Sequence, residues 1–266
     1  MSGSTWHPLV ALMRRFCVDW LCRADPTVPG EIMTAGYSIL IGGHTLAGRD
    51  EQYVPATMAQ LQGFPGLLIS VQELFTTGEQ VAMRFTEHGP SAAADGQPAA
   101  WTGIGLFWWD GTRLTRNVTE EDYHSRRRQL GARCSDPVDA PAVAPWSAMP
   151  VDPDPAAEDA VRAWLAKGDL SADGDVLLDD GWWGQPTPAL IDVADVQVAE
   201  LFSAGERVAF HVVQSGRYLG GLPDTDGAEG RAAHLSAVGM VRVVDGALSG
   251  HVVRDRVGLR RQVRSR

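Results

Sequence analysis

Lysine is nearly missing from this chain: Lys167 stands alone among 23 basic residues, and 33 acidic residues leave a formal net charge of −10. That deficit of positive charge disfavours nucleic acid and anionic membranes as partners, because both are bound through cations set against phosphate. Cysteine is scarce as well. Cys17, Cys22 and Cys134 cannot all pair within one chain and match no metal-binding spacing, so reduced thiols in a cytoplasmic protein are expected. No hydrophobic run approaches the ~20 residues of a membrane helix. The opening MSGSTWHPLV sets no basic segment before an apolar one, so no secretory signal is expected. Positive charge concentrates only in the tail RDRVGLRRQVRSR, with Arg254, Arg256, Arg260, Arg261, Arg264 and Arg266. Cations at a helix end complement the macrodipole, and that reading is preferred to phosphate binding.

What the chain does contain is a repeat. LFSAGERVAF at 201–210 is a near copy of LFTTGEQVAM at 74–83, the two lying 127 residues apart. Each copy leads to a strand-like run closed by Asp-Gly, a dipeptide suited to tight hairpins: WTGIGLFWW before Asp110-Gly111, and SAVGMVRVV before Asp245-Gly246. One strand further on, each reaches an aspartate and a basic stretch, DYHSRRRQLG (122–131) and DRVGLRRQVR (255–264), which sets Asp122 against Asp255. Three blocks in one order imply a tandem duplication.

The expected organisation is a domain over 5–133, a Pro/Ala-rich linker over 134–155 and a second domain over 156–266. The first opens on a helix, PLVALMRRFCVDWLC, with Leu9, Leu12, Met13, Phe16 and Trp20 at helical spacing. A strand at 37–42 and a helix at 49–62, turning Tyr53, Met58 and Leu61 inward, follow before the long strands. Asp154-Pro155 reads as the cap and first turn of another helix, with Val161, Trp164 and Leu165 on its apolar face. Helices first and a meander last make each half α+β. The second half has no counterpart of the 49–62 helix; DDGWWGQPTPAL (179–190), full of turn formers, stands there instead, so one wall of any cavity is expected to be lost.

The ordered set AGRDEQY, FPGLLISVQEL, GEQVAMRF, TEHG and TGIGLFWWDGTRL, closed by DYHSRRRQLG, resembles the SnoaL-like polyketide cyclase family. That family sits within the nuclear transport factor 2-like superfamily, beside ketosteroid isomerase and limonene epoxide hydrolase. The resemblance covers nearly all of 9–131, and the second half only from about 197 onward. It implies two tandem cone-shaped (cystatin-like) α+β barrel domains with curved antiparallel sheets, paired as a pseudo-homodimer within one chain, with further homo-oligomerisation left open. It implies no cofactor and a hydrophobic small molecule as ligand, but a fold licenses no reaction.

In the cyclases resembled here, an aspartate nine residues before the closing glycine is the catalytic acid/base, which implies that role for Asp122. A carboxylate beside an apolar pocket is desolvated, its pKa rising towards the working range, as proton removal beside a carbonyl requires. Glu120 and Glu121 flank it, and strand alternation turns Glu121 to the opposite face. His88, on one face with Arg84 and Thr86, is the candidate to steady an oxyanion; a plain strand-end histidine is the competing reading. Trp101, Phe107 and Trp108 offer a surface for a polycyclic ligand, although alternation lets only one of Trp108 and Trp109 face a pocket. Tyr37 and Tyr53 are candidate hydroxyl donors, with Arg84 a further contact. The second-half equivalent, Asp255, is expected to be structural. His211, His234 and His251 form no metal-binding spacing, so no metal is expected.

The expected function is therefore cofactor-independent acid/base catalysis, as a cyclase or isomerase, on a polycyclic or polyketide-like carbonyl compound. One alternative is epoxide hydrolysis through Asp122 with Glu120 or Glu87 and Arg84. The other is a non-catalytic binding or scaffold protein, in which Asp122 would be exposed with no pocket beside it.

Overall fold

The computed structural model describes residues 6–170 and 175–265, so the expected domain ends at 5 and 266, and Arg266 of the tail, lie outside the described residues. Helix α1 (Pro8–Arg14) runs on through a wider π-helical segment, Arg15–Cys22, and together they bury Leu9, Met13, Phe16 and Trp20. After α2 (Val28–Ile32) come strands β1 (Met33–Ile41) and β2 (His44–Ala47). The expected 49–62 helix is a π-helical turn, Arg49–Tyr53, continued as α3 (Val54–Gly63), with Tyr53 and Leu61 buried. Four strands follow, β3 (Leu68–Thr76), β4 (Gln80–Pro90), β5 (Pro98–Trp109) and β6 (Leu114–Glu121), and then α4 (Tyr123–Ala132). They form one sheet in the order β2-β1-β6-β5-β4-β3.

The second half has α5 (Pro155–Leu165), capped by Asp154 and burying Val161, Trp164 and Leu165. Strands β7 (Asp175–Leu178), β8 (Ile191–Ala204), β9 (Arg207–Tyr218), β10 (Ala232–Val244) and β11 (Ala247–Arg254) precede α6 (Arg256–Arg264). Their order, β7-β11-β10-β9-β8, repeats that of the first sheet without its β2 edge. Each sheet is mixed rather than wholly antiparallel, since β1 runs parallel to β6 and β7 parallel to β11. Among the described residues the second half has no counterpart of α3; a short 3-10 turn, Gly181–Trp183, and a loop join β7 to β8. The chain is thus two α+β units of one plan.

The Asp-Gly turns differ. Asp245 (φ 50°) and Gly246 (φ 80°) are both left-handed, the conformation a two-residue hairpin demands. The Asp110 carboxylate instead accepts from the amides of Thr112 and Arg113, at 2.9 and 2.8 Å, and opens a longer loop.

The two sheets face each other. Phe75, Ala82, Leu106 and Val118 from the first pack against Phe202, Ala209, Met240 and Val253 from the second. The linker is docked rather than free: Ala142 N donates to Val71 O at 2.8 Å and Val151 N to Thr76 O at 3.0 Å, which covers the β3 edge. Each sheet's other face is closed by its own helices around a separate core.

Candidate active site

Alternation along three strands decides what faces the first half's interior. On β6, Asn117, Thr119 and Glu121 point inward, while Val118 packs in the inter-sheet core. On β4, Phe85 and Glu87 point inward; on β5, Phe107 does. With Phe16 and Leu21 from the first helix, Leu46 from β2, and Tyr53, Thr57 and Gln60 around α3, they enclose a cavity of about 150 Å3. Tyr123, the first residue of α4, closes one side. Gly103 makes room for this arrangement, because a Cβ there would lie 2.4 Å from Phe85 Cζ and 3.0 Å from Glu121 Cγ.

Two carboxyls dominate the cavity. Glu87 is 2% exposed, and its Oε2 accepts from Gln60 Nε2 at 2.6 Å. Burial and the neighbouring Glu121 push its pKa well above the ordinary glutamate value. Glu121 Oε2 accepts from Trp101 Nε1 at 2.8 Å. Burial raises this carboxyl too, against the Trp101 hydrogen bond and the charge of Arg126. The two meet side chain to side chain. Two like charges side by side oppose each other's ionisation, and this adds to burial in keeping Glu87 protonated to higher pH. Gln60 ties the site together: its Oε1 accepts from the Tyr123 hydroxyl at 3.4 Å while its amide holds Glu87. The Arg126 guanidinium lies 4.3 Å from the Tyr123 ring centroid and 4.8 Å from that of Trp101.

The sequence-based candidates are dispersed. Asp122 is buried but faces away from the cavity. It caps α4 by accepting from Ser125 N at 3.0 Å, and both its oxygens lie 2.6 Å from Arg256 Nη2 of the second half. Burial lifts its pKa to about 6, with Arg256 pulling the other way. His88 is likewise on the outer face of β4, half-buried, its Nε2 3.1 Å from Ser70 Oγ. Burial lowers its pKa, and it borders no part of the cavity. Arg84 shares that outer face and pairs with Asp139 at 3.3 Å, so the grouping sketched for epoxide hydrolysis is not assembled. Trp108 points to the second half, with Arg116 stacked 3.9 Å over its ring and Phe202 at 6.2 Å. Tyr37 sits behind Tyr53, ring centroids 4.9 Å apart, and does not reach the cavity. Tyr53 and Phe107 do line it, and Trp101 touches it through Glu121.

Gln60, Asn117 and Tyr123 are the residues that sequence reasoning passed over, while Glu87 and Glu121 entered it only as partners or neighbours of Asp122. A signal existed in TRNVTEED: Asn117, Thr119 and Glu121 form a polar face opposite Val118, an unusual choice unless that face lines a cavity.

The second half keeps the plan without the site. Asp255 N donates to Ser236 O as Asp122 N donates to Thr102 O, which sets Arg254 where the first half has Glu121. The 127-residue offset sets Gln214 where it has Glu87. Arg254 forks onto Asp179 at 2.8 and 2.6 Å, Gln214 donates to Gly168 O at 2.6 Å, and only about 30 Å3 of cavity remains beside them. Asp255 caps α6 through Gly258 N at 2.7 Å, so the duplicated aspartate is a helix cap in both halves. His211 and His234 bond to Ser236 and Ser215, and no group that could hold a metal ion occurs among the described residues.

No family model and no curated protein matches the chain. Among solved structures it is similar to a protein from Jannaschia sp. CCS1, provisionally designated a SnoaL-like polyketide cyclase (18% identity, TM-score 0.44), over 50% of this chain and 97% of that one. A provisional polyketide cyclase from Acidithiobacillus ferrooxidans matches at 20% identity and TM-score 0.43, over 50% of this chain and 100% of its own. A ketosteroid isomerase-like protein from Catenulispora acidiphila, bound to trimethylamine, matches at 18% identity and TM-score 0.41, over 45% and 92%. Each spans about half of this chain. The reaction has to come from the chemistry of the site itself.

Proposed function

We propose that the first half is a cofactor-independent acid/base enzyme acting on a compact, neutral carbonyl compound, with Glu121 as the base and Glu87 as the acid. The observation that carries this reading is a pair of carboxyls, Glu87 and Glu121, side by side in an otherwise largely apolar cavity, each held by a neutral donor. The ionised Glu121 removes a proton from the carbon beside the carbonyl. The neutral Glu87 donates its proton to the carbonyl oxygen, giving an enol without a free enolate charge. In an isomerisation of an enone, Glu121 returns its proton to another carbon of the dienol while the enol O–H gives its proton back to Glu87. In a cyclisation the enol carbon attacks a second carbonyl, whose oxygen takes the proton from Glu121 as the enol O–H returns its own to Glu87. Gln60 orients Glu87, and Trp101 holds one oxygen of Glu121.

Size and charge narrow the substrate. A cavity of about 150 Å3 suits one ring, the volume at which an apolar cavity takes up benzene. A fused-ring substrate fits only by protruding beyond this volume. Anionic substrates are disfavoured by the pair. The test is deuterium exchange: one-ring ketones and enones in D2O, followed by proton NMR at the carbon beside the carbonyl. Exchange above the buffer rate, lost by about 10²-fold or more in Glu121→Gln, supports the reading. Ketones that bind without exchanging would make the cavity a binding site only.

A further inference from the structure

We infer that Arg256, in the second half, is a positioning residue for the carboxyl pair of the first half, acting through Asp122. The inference rests on the acid/base reading of Glu87 and Glu121. Its basis is a continuous set of contacts. Arg256 Nη2 holds both oxygens of Asp122 at 2.6 Å. Asp122 in turn fixes the N-terminus of α4 through Ser125 N. That helix begins at Tyr123, whose hydroxyl reaches Gln60, and Gln60 holds Glu87. On its other side Asp122 is bonded directly to Glu121 along the chain, so the same anchor sets where β6 ends and how Glu121 enters the cavity.

Arg256 is itself held from the second half. Asp180 Oδ1 lies 2.9 Å from its Nη2 and Asp179 Oδ2 lies 3.3 Å from its Nε. Asp179 is gripped by Arg254, the residue that fills the position of Glu121 in the duplicate. Where the first half has an interior carboxyl, the second half thus has an arginine that braces the clamp on the first half's site. Two buried arginines against three buried aspartates are a costly arrangement for stability alone, since apolar packing of equal volume often does as well. A geometric task accounts for their presence.

The test reads the pair itself. Protein labelled with carbon-13 at the glutamate carboxyls is titrated by NMR, with Glu87 and Glu121 assigned from their glutamine variants. The double variant Asp122→Asn/Arg256→Met removes both charges together, and Asn keeps a capping oxygen for α4. Around the pair the charged or titratable neighbours are Arg126 and Tyr123 from α4, Glu120 from β6, Tyr53, and Cys17 and Cys22 from the first helix, all unchanged in this variant. The double variant is expected to shift the pair's upper titration step by about half a pH unit or more, with Arg256→Lys falling between it and the wild type. Asp154→Ala, which weakens a distant helix cap, is expected to lower stability and leave the titration in place.

A folded double variant that titrates like the wild type overturns the positioning role and leaves the acid/base reading standing. If the wild-type glutamates both titrate in the ordinary range, the acid/base reading falls and this inference with it. Should the double variant not fold, Arg256→Lys decides by the same readout: a displaced titration supports the role, and one superimposed on the wild type overturns it.

Discussion

Glu121 and Asp122 are neighbours in sequence and opposites in environment. One ends a strand facing the cavity; the other begins a helix cap facing an arginine of the other half. Their alternation is legible in the sequence, but which face is concave is not, because that depends on which side the helices cover. The resemblance to a cyclase motif points to Asp122, whereas the geometry turns that residue into the outer ion cluster. Two outcomes follow at this scale. Asp122→Ala removes one of three carboxylates around the buried Arg256, which keeps Asp179 and Asp180, together with the cap of α4, and is expected to cost about 1–3 kcal/mol in denaturant unfolding. Glu87→Gln removes one member of a crowded carboxyl pair and is expected to raise Tm at pH 8 by a few degrees, about 1 kcal/mol, while lowering exchange activity.

Among elements, the helices and long strands announce themselves through apolar spacing. The α1 run and the Asp154-Pro155 start of α5 stand where the pattern sets them. The docked linker was not legible, since its Pro/Ala composition carries no periodicity and its backbone bonds to β3 are long-range. The cavity depends on one position in β5. Gly103→Ala would drive Phe85 or Glu121 from place, the nearest ring atom being 2.4 Å from the new Cβ. It is expected to cost about 1–3 kcal/mol and to weaken binding of one-ring ketones, as read by calorimetry. Asp154→Ala loses the bonds to Ala156 N at 2.9 Å and Ala157 N at 3.3 Å, and is expected to cost about 1 kcal/mol in a thermal melt.

Over the whole molecule, the common strand order of the two sheets was legible from three short blocks, as was the lack, among the described residues, of a second α3. What fills the second interior was not, because Arg254 and Gln214 read as ordinary strand residues until Asp179 and Gly168 are seen against them. The surface between the halves also carries a pH signature. Glu120 bonds to Ser236 Oγ at 2.7 Å, and burial with Asp255 nearby lifts its pKa from 4.5 to about 8. A raised carboxyl contributes stability that is complete below 4.5 and lost as pH climbs to about 8. His211 and His251 act in the other direction: burial lowers both from 6.5 to about 4, so their contribution is present above 6.5 and lost as pH falls towards 4. The melting temperature is therefore expected to peak near pH ~6 and to fall on both sides. In Glu120→Gln the alkaline fall should be shallower.

The most direct test of the central claim compares two adjacent residues. Deuterium exchange into a one-ring ketone is measured for the wild type, Glu121→Gln and Asp122→Asn at one pH and saturating ketone. The geometry predicts that Glu121→Gln loses about 10²-fold or more, and that Asp122→Asn, which only loosens the site, loses no more than about tenfold. An inactive Asp122→Asn beside an active Glu121→Gln would contradict the account and return the chemistry to the outer face of the strand.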